Sequence, residues 1–278
     1  MNDFSDFKGK TVLVTGGAGC VGSNLCRRLA ELEAKEVIIL DDLSSAYEWN
    51  IPKANNISFV KGSILDEGML KRVFKKRPQY VYHLAAHFAN QNSVDNPEKD
   101  LLVNGLGILK VLEHAQLVDV DRFVYSSSGC GVYGLDSKMP FEEHDISISL
   151  HTPYQVTKLL GELYTNYFHN LYEMPVVNAR FFNVFGPGEV PGWYRNVIPN
   201  FIYWAMNGQP LPITVPGLRT LWQPTSTLSP TIAANFLRPV SITSSPFLTH
   251  TNVLSDLTWD VIAPAPRCDL YPRMESPT

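Results

Sequence analysis

Six short apolar runs that alternate with helical patterns constrain most strongly what this chain can fold into. The runs are rich in β-branched residues, are bounded by polar residues or glycine, and cover residues 11–17, 36–42, 57–63, 80–86, 122–128 and 175–186. Between runs, leucines recur at helical spacing, for example Leu25, Leu29 and Leu32. This alternation is typical of βαβ units, whose right-handed crossovers build a parallel sheet covered on both faces. The sequence therefore predicts an α/β protein with a doubly wound parallel sheet.

A glycine-rich turn follows the first predicted strand. In TGGAGCVG (15–22), Gly16, Gly19 and Gly22 stand between a strand and a helix, where the backbone can approach a pyrophosphate. Asp41 ends the second predicted strand, where a carboxylate can accept hydrogen bonds from a ribose 2′-hydroxyl and repel a 2′-phosphate. This pattern predicts a site for NAD, in preference to NADP.

A second group of residues is suited to proton transfer. Tyr154 and Lys158 stand four residues apart, so they share one helix face, and the ammonium is expected to lower the tyrosine pKa by favouring phenolate. Ser128 ends a predicted strand and is expected to share the hydrogen bond. Such a tyrosine can take a proton from a sugar hydroxyl while hydride leaves the same carbon.

Composition excludes several classes of partner. The net charge of −4 and the absence of basic runs argue against nucleic acid. No stretch of about 18 consecutive apolar residues is present, which argues against a membrane span. The four cysteines lack CxxC spacing or a histidine cluster, which argues against a metal site and a disulfide framework. We expect a reducing, cytoplasmic location.

Six motifs in order resemble the extended short-chain dehydrogenase/reductases, specifically the nucleotide-sugar epimerases and dehydratases. They are TGGAGCVGSNL, HLAA (83–86), VNGLG (103–107), YSSSGCGVYG (125–134), PYQVTK (153–158) and RFFNVFGPG (180–188), and they span roughly residues 8–213. The resemblance implies a Rossmann fold, tightly held NAD, a nucleoside-diphosphate sugar as substrate, transient oxidation of that sugar, and a homodimer.

The resemblance also implies roles for individual residues. Ser128 and Tyr154 correspond to the catalytic pair, and Lys158 to the lysine that tunes the tyrosine and touches the nicotinamide ribose. The implied NAD-binding positions are Gly16, Gly19, Cys20, Val21, Gly22, Asp41, Ile64, Ala85, Asn104, Tyr154 and Lys158. The implied substrate-binding positions are Asn183 near the phosphates, and Asn196 and Val197 near the base.

Several positions depart from the family pattern. Ser63 stands where the family usually has an aspartate for the adenine, which predicts weaker adenine recognition. The loop after the fifth strand is one residue longer than usual, so Ser127 remains an alternative to Ser128. Gly129 and Cys130 replace the Asp-Glu pair of the dehydratases, which disfavours dehydration.

Three further side chains have both a chemical and a structural interpretation. A cysteine at the position of Cys130 serves as acid or base in relatives that epimerise sugars at carbons 3 and 5, although a small buried loop residue is the plainer interpretation. His83 is interpreted as a structural histidine at the end of a strand. His87 points toward the region where family members hold the sugar, without being assigned a role.

The chain changes character near Thr214. All 12 lysines precede it, whereas residues 214–278 contain one glycine and nine prolines. The predicted organisation is a Rossmann domain over residues 1–189, the start of a small, incomplete substrate lobe over 190–213, and an atypical Pro/Ser/Thr-rich tail over 214–278. A change of reading frame near codon 214 and a genuine disordered tail are the alternative explanations.

The sequence as a whole predicts a UDP-glucose/UDP-galactose 4-epimerase. One alternative is a 3,5-epimerase that uses Cys130. The other is a catalytically impaired NAD-binding protein from a truncated gene, because the Arg-Asp pair whose arginine grips the diphosphate in the family does not appear at 214–230.

Overall fold

A six-stranded parallel sheet forms the centre of the molecule. The computed structural model describes residues 5–134, 139–209, 211–215 and 218–222. The strands are β1 (Thr11–Thr15), β2 (Glu36–Asp41), β3 (Ile57–Lys61), β4 (Tyr80–His83), β5 (Arg122–Ser128) and β6 (Val176–Phe181). Their order in the sheet is β3-β2-β1-β4-β5-β6, and every neighbouring pair is parallel. The predicted doubly wound fold is confirmed.

Helices connect the strands. They are α1 (Cys20–Glu31), α2 (Glu67–Phe74), α3 (Asn90–Asp95), α4 (Pro97–Asp100), α5 (Gly107–Val118), α6 (Gly129–Tyr133) and α7 (Pro153–Tyr172), with a π-helical segment (Leu101–Leu106) between α4 and α5. Helix α7 begins with a capping box, in which Thr152 accepts from the Gln155 backbone and the Gln155 side chain accepts from the Thr152 backbone. This box fixes the start of α7, the helix that carries Tyr154 and Lys158.

Two hydrophobic clusters cover the two faces of the sheet. Leu13, Ile38 and Leu40 belong to one cluster, together with Ile108 and Leu112 of α5. Val12, Val14, Val37 and Ile39 belong to the other, together with Leu25 and Leu29 of α1. Successive strand residues thus enter opposite clusters, because side chains alternate across a strand. This explains why the strands read as continuous apolar runs.

A second compact unit begins at Phe185, four residues before the end of the predicted first domain at residue 189. It contains α8 (Val197–Met206) and an antiparallel hairpin of β7 (Leu211–Val215) and β8 (Leu218–Trp222). The Asn200 side chain bonds the N–H and C=O of Gly192 at 2.8 and 3.0 Å, which ties the preceding loop to α8. The predicted tail beyond residue 222 lies outside the described residues.

One helical stretch, Pro97–Val118, is long and apolar enough to cross a membrane by length and hydropathy. Its second part is α5, whose residues Ile108, Val111 and Leu112 are fully buried against the sheet. The core helix of a globular domain passes the same test, and this packing accounts for its apolar composition.

Candidate active site

The predicted site residues gather at one edge of the sheet. Because all six strands are parallel, their carboxyl ends meet at this edge, which is where open α/β sheets bind ligands. Gly16 follows β1, Asp41 ends β2, Ala85 follows β4, Ser128 ends β5, and Asn183 follows β6.

The glycine turn after β1 has room only for glycine at two positions. Gly16 has a φ of +71°, and a Cβ there would lie 2.6 Å from the Ala85 nitrogen. A Cβ on Gly22 would lie 2.3 Å from the Gly16 oxygen. Helix α1 then begins after Gly19 with no side-chain cap. The turn therefore presents backbone rather than side chains at a helix N-terminus, which fits the pyrophosphate of NAD.

Asp41 is held in place by the same turn. Its Oδ2 accepts from the Ala18 N–H at 2.9 Å, and its Oδ1 accepts from the Leu43 N–H at 2.9 Å. Burial raises its pKa, and the two backbone hydrogen bonds oppose that rise. Each carboxylate oxygen keeps a lone pair for a further donor, as hydrogen bonding to a ribose requires.

Ser128, Tyr154 and Lys158 come together between β5 and α7. Ser128 acts on Tyr154 by lowering its pKa against the effect of burial. The Lys158 Nζ lies 5.6 Å from the centroid of the Tyr154 ring. Lys158 is buried, and its Nζ donates to the Ser126 carbonyl at 2.8 Å. The spacing of four residues on α7 thus brings the phenol and the ammonium to the same side, as predicted.

The electrostatics of this group differ from the expectation. Burial raises the pKa of Tyr154, and the Ser128 hydrogen bond only partly opposes that rise. Burial also lowers the pKa of Lys158 to about 8. The predicted lowering of the Tyr154 pKa by Lys158 is therefore not seen in this structure, because removal of both side chains from water outweighs their attraction.

The structure distinguishes the two candidate serines. Ser127 Oγ donates to the buried Glu162 at 2.5 Å, about two turns of α7 beyond Tyr154. Ser128 Oγ instead lies 3.2 Å from the Cys130 Sγ, and Ser128 lowers the pKa of Tyr154. The geometry favours Ser128 as the partner of Tyr154.

Cys130 lies beside this group and is exposed, which differs from the buried loop residue of the plainer interpretation. Its Sγ contacts Ser128 Oγ and also lies 3.9 Å from the Asn90 Nδ2. The thiol is therefore accessible next to the candidate base. Within the part of the chain that the structure describes, no three metal-ligating side chains are grouped as a metal site would require.

The two candidate histidines differ in their surroundings. His83 is fully buried, its Nδ1 lies 2.9 Å from the Thr15 Oγ1, and its ring stacks on Tyr125. Burial and the charge of Lys158 lower the pKa of His83 to about 3, so it is neutral and structural at ordinary pH. His87 is also buried, and its Nδ1 has no hydrogen-bond partner.

Other predicted NAD-binding residues have mixed surroundings. Cys20 and Val21 open α1. The Ile64 side chain is part of the hydrophobic core, so only its backbone can face a cofactor. Asn104 donates to the His87 carbonyl and to Asp100, and accepts from the His87 N–H. Both amide hydrogens are thus used by the protein, so Asn104 holds the loop after β4, and its contact with NAD stays a prediction.

The predicted substrate-binding residues occur in both units. Asn183 is exposed just after β6. In the second unit, Asn196 donates to Glu189 at 2.6 Å, and Val197, more than half exposed, begins α8. Their contacts with a nucleotide sugar stay predictions.

Sequence reasoning missed two buried charged groups beside the site. Asp100 is fully buried and bonds to Thr157 of α7. Glu162 is almost fully buried and binds Arg180 of β6 through both carboxylate oxygens, at 2.9 and 2.8 Å. The one signal in the sequence is spacing: Glu162 follows Lys158 by four residues, and Asp100 precedes Asn104 by four.

Known proteins match this chain over its first three quarters. The chain is 36% identical to a UDP-glucose 4-epimerase of Mycolicibacterium smegmatis over 192 residues, which is 68% of this chain and 61% of that protein. An epimerase structure from Methanothermobacter thermautotrophicus is 83% identical, with a TM-score of 0.75, and covers 76% of this chain and 63% of its own. A Thermotoga maritima UDP-glucose 4-epimerase with UDP-glucose is 35% identical, with a TM-score of 0.70, over 74% of this chain and 66% of its own.

The family assignment follows from a broader match. Residues 12–223 match the model of the NAD dependent epimerase/dehydratase family, ten residues beyond the predicted end of the resemblance at 213. NAD is the cofactor, in agreement with the glycine turn and Asp41. With this match and a glycine turn, an acid after β2 and a Ser-Tyr-Lys group in their expected places, the chain belongs to the NAD-dependent epimerase/dehydratase family.

Proposed function

We propose that this chain is a nucleotide-sugar 4-epimerase that interconverts UDP-glucose and UDP-galactose. The chain spans about three fifths of the length of the M. smegmatis UDP-glucose 4-epimerase. The single observation that carries the proposal is the grouping of Ser128, Tyr154 and Lys158, in which a buried ammonium lies 5.6 Å from the ring centroid of a buried phenol. These residues suit removal of a proton from a sugar hydroxyl.

Each of the three residues has a distinct task. Tyr154 takes the proton from the C4 hydroxyl and later returns it to the C4 oxygen of the rotated 4-keto sugar. Ser128 donates to the same phenolic oxygen and stabilises it when it becomes charged. Lys158, buried beside the Tyr154 ring, supplies positive charge that favours phenolate. When bound, NAD would accept the hydride from C4 and would return it to the opposite face of that carbon.

The tyrosine provides the direct test. Tyr154→Phe is expected to lower kcat for UDP-glucose by about 10²–10⁴-fold while NAD affinity, measured by titration, is kept, because only the proton-carrying oxygen is lost. Tyr172→Phe is the matched control, since Tyr172 lies on the same helix and is exposed. A Tyr154→Phe enzyme with near wild-type kcat places the base elsewhere. A wild-type chain that binds NAD without turnover supports the impaired homologue instead.

A 3,5-epimerase is the second candidate, favoured by one observation. Cys130 is exposed and lies 3.2 Å from the Ser128 Oγ, so a thiol stands next to the candidate base. Turnover in D₂O separates the two reactions, because a 4-epimerase returns the same hydride, whereas a 3,5-epimerase exchanges carbon-bound hydrogen with solvent. We expect product without deuterium and little effect of Cys130→Ser. Deuterium at C3 or C5, lost in Cys130→Ser, supports the second candidate.

A homodimer is part of the proposal. Helix α7 and the π-helical segment beside it expose apolar side chains: Leu101, Leu102, Leu106, Val156, Leu163 and Tyr167. The only Lys, Arg, Asp or Glu residues of α7, Lys158 and Glu162, are buried, so its outer face carries none of these charges. Apolar faces of this kind are typical of interfaces, and a second copy covers such a face symmetrically.

The location that we propose is the cytoplasm. Among the described residues, Cys20, Cys26 and Cys130 form no disulfide, as expected in a reducing compartment. UDP-sugars are the small-molecule partners that the proposed reaction requires.

A further inference from the structure

Asp100 is a buried carboxylate that the proposed reaction does not use directly. It ends α4, its exposed fraction is 0%, and burial raises its pKa. Aspartate is almost never fully buried unless it is paired. Its partners therefore indicate why it is there.

One carboxylate oxygen holds the helix that carries the candidate base. Thr157 Oγ1 donates to the Asp100 Oδ2 at 2.7 Å and also lies 3.2 Å from the Tyr154 carbonyl. Thr157 stands between Tyr154 and Lys158 on α7. A shift of Asp100 would therefore move the turn that sets the position of both side chains.

The other carboxylate oxygen holds the loop after β4. Asn104 Nδ2 donates to the Asp100 Oδ1 at 2.8 Å, and the Asn104 side chain pairs with the His87 N–H and C=O at 2.8 and 3.0 Å. This loop contains Ala85, whose backbone packs against Gly16 of the glycine turn. Asp100 thus connects the catalytic helix to the cofactor side of the site.

Asp100 also raises the pKa of Lys158. The ammonium is buried and donates to a carbonyl, and among the described residues no carboxylate lies within ion-pair distance of it. Asp100 is the first of the groups that raise the pKa of Lys158 against the effect of burial. A buried cation without a nearby negative charge tends to lose its proton.

Other titratable or charged groups share this environment. His87 faces Asp100, and Lys99 faces His87. The others are Tyr125 of β5, Tyr154 and Lys158 of α7, and Cys130 of α6. His87 Nδ1 lies 3.9 Å from the Asp100 Oδ1. Burial lowers the pKa of His87, so it does not provide a stable cation in place of Lys158.

We propose that Asp100 is a positioning residue for the Tyr154–Lys158 pair: it fixes their turn of α7 through Thr157 and connects that turn, through Asn104, to the loop after β4. The role in catalysis rests on the proposed epimerase function. The effect on Lys158 does not, since it is a property of the folded protein.

The protonation of Lys158 provides the test. In protein labelled with ¹³Cε-lysine and assigned with Lys158→Met, the chemical shift of Lys158 is followed against pH. We expect its pKa to fall by about one unit or more in Asp100→Asn, because an opposite charge is removed. Thr157→Val keeps that charge while removing the hydrogen bond, and should leave the Lys158 pKa closer to the wild-type value.

Controls distinguish a local effect from a general one. Asp119→Asn makes the same chemical change at an exposed position at the end of α5 and should leave the Lys158 pKa unchanged. A folded Asp100→Asn protein with a wild-type Lys158 pKa overturns the proposal. If Asp100→Asn does not fold, ¹³C-carboxyl NMR of wild-type Asp100 decides: an ionised Asp100 at neutral pH supports the proposal, and a protonated one overturns it.

The two proposals can fail independently. Neither NMR measurement requires turnover, so a chain without epimerase activity whose Lys158 responds to Asp100 contradicts only the proposed function. An active epimerase whose Lys158 ignores Asp100 contradicts only the role of Asp100. In an active enzyme, Asp100→Asn should also move the limb of the kcat pH profile that reports Lys158, toward lower pH.

Discussion

Adjacent hydroxyls at the end of β5 have different partners. Ser127 donates to Glu162, whereas Ser128 contacts Cys130 and lowers the pKa of Tyr154. Successive strand residues point to opposite faces, so two neighbouring serines cannot serve one phenol. The Ser127 hydroxyl therefore has a structural role, and the Ser128 hydroxyl lies beside the candidate base.

The two serines should therefore respond differently to removal. Ser128→Ala is expected to lower kcat about tenfold or more, because a hydrogen bond to a charged oxygen is worth about 1.5–3 kcal/mol. Ser127→Ala is expected to keep most of kcat and to lower the free energy of unfolding by about 1 kcal/mol. Steady-state kinetics and urea unfolding of both variants provide the measurement. The reverse pattern would identify Ser127 as the partner of Tyr154.

We expect the preference for NAD over NADP to depend on one residue, Asp41. Asp41→Ala should narrow the preference for NAD over NADP, because it removes both the ribose acceptor and the charge that repels a 2′-phosphate. Asp42→Ala is the matched control, since Asp42 is exposed and accepts from the Ser44 N–H rather than from the glycine turn that holds Asp41. Titration with both cofactors measures the ratio of affinities. Equal affinity of the wild-type chain for both would contradict this role.

Helix α7 carries chemistry, core contacts and a candidate interface on different faces. Tyr154, Lys158 and Glu162 recur every four residues and are all buried. Val156 and Leu163 lie on the outer face and are more than half exposed. Because one rigid helix connects these surfaces, the Glu162–Arg180 pair at β6 also anchors the segment that bears the candidate base.

The Glu162–Arg180 pair should be important for stability. Arg180→Met leaves a carboxylate in a site where Glu162 is only 3% exposed, and breaking a buried pair in this way typically costs about 3–5 kcal/mol. Lys8→Met is the control, because Lys8 and Glu33 form an exposed pair, and exposed pairs contribute little to the free energy of unfolding. Urea unfolding midpoints of the two variants should differ accordingly. Equal losses would show that the buried pair has no special role.

At the scale of the whole molecule, the parallel sheet explains why distant residues meet. Gly16, Asp41 and Ser128 are far apart in the chain, but each follows or ends a strand whose carboxyl end lies at the same edge. The outer face of α7 and the π-helical segment lies outside this sheet and remains uncovered in one chain. The site and the candidate interface are thus separate consequences of one fold.

The proposed dimer has a direct test. Light scattering coupled to size-exclusion chromatography should give about twice the 31.1 kDa mass of one chain. Leu163→Glu should shift the mass toward one chain, because a charge would be buried in the apolar interface. Leu117→Glu is the control, since Leu117 is an exposed leucine outside this face. A wild-type mass of one chain would contradict the proposal.

The sequence alone was sufficient for the fold and for the proximity of Tyr154 and Lys158 on α7. Strand runs, the glycine turn, Asp41 and the Tyr154–Lys158 spacing are local patterns, and secondary structure translates local spacing directly into geometry. The predicted strands 11–17 and 80–86 nevertheless ran past the observed ends at Thr15 and His83, because the loops that follow are also apolar or small.

Only the tertiary structure decided the direction in which the pKa of Tyr154 is shifted and the side chains that the site residues contact. Burial of Tyr154 raises its pKa against the predicted lowering, and burial makes Asp100 a candidate counter-charge for Lys158. The packing of β5 against α7 also distinguishes Ser127 from Ser128, because the two serines contact different residues of that helix. These outcomes depend on which distant elements pack together and how much water they exclude, and desolvation is a property of that packing rather than of the spacing along the chain.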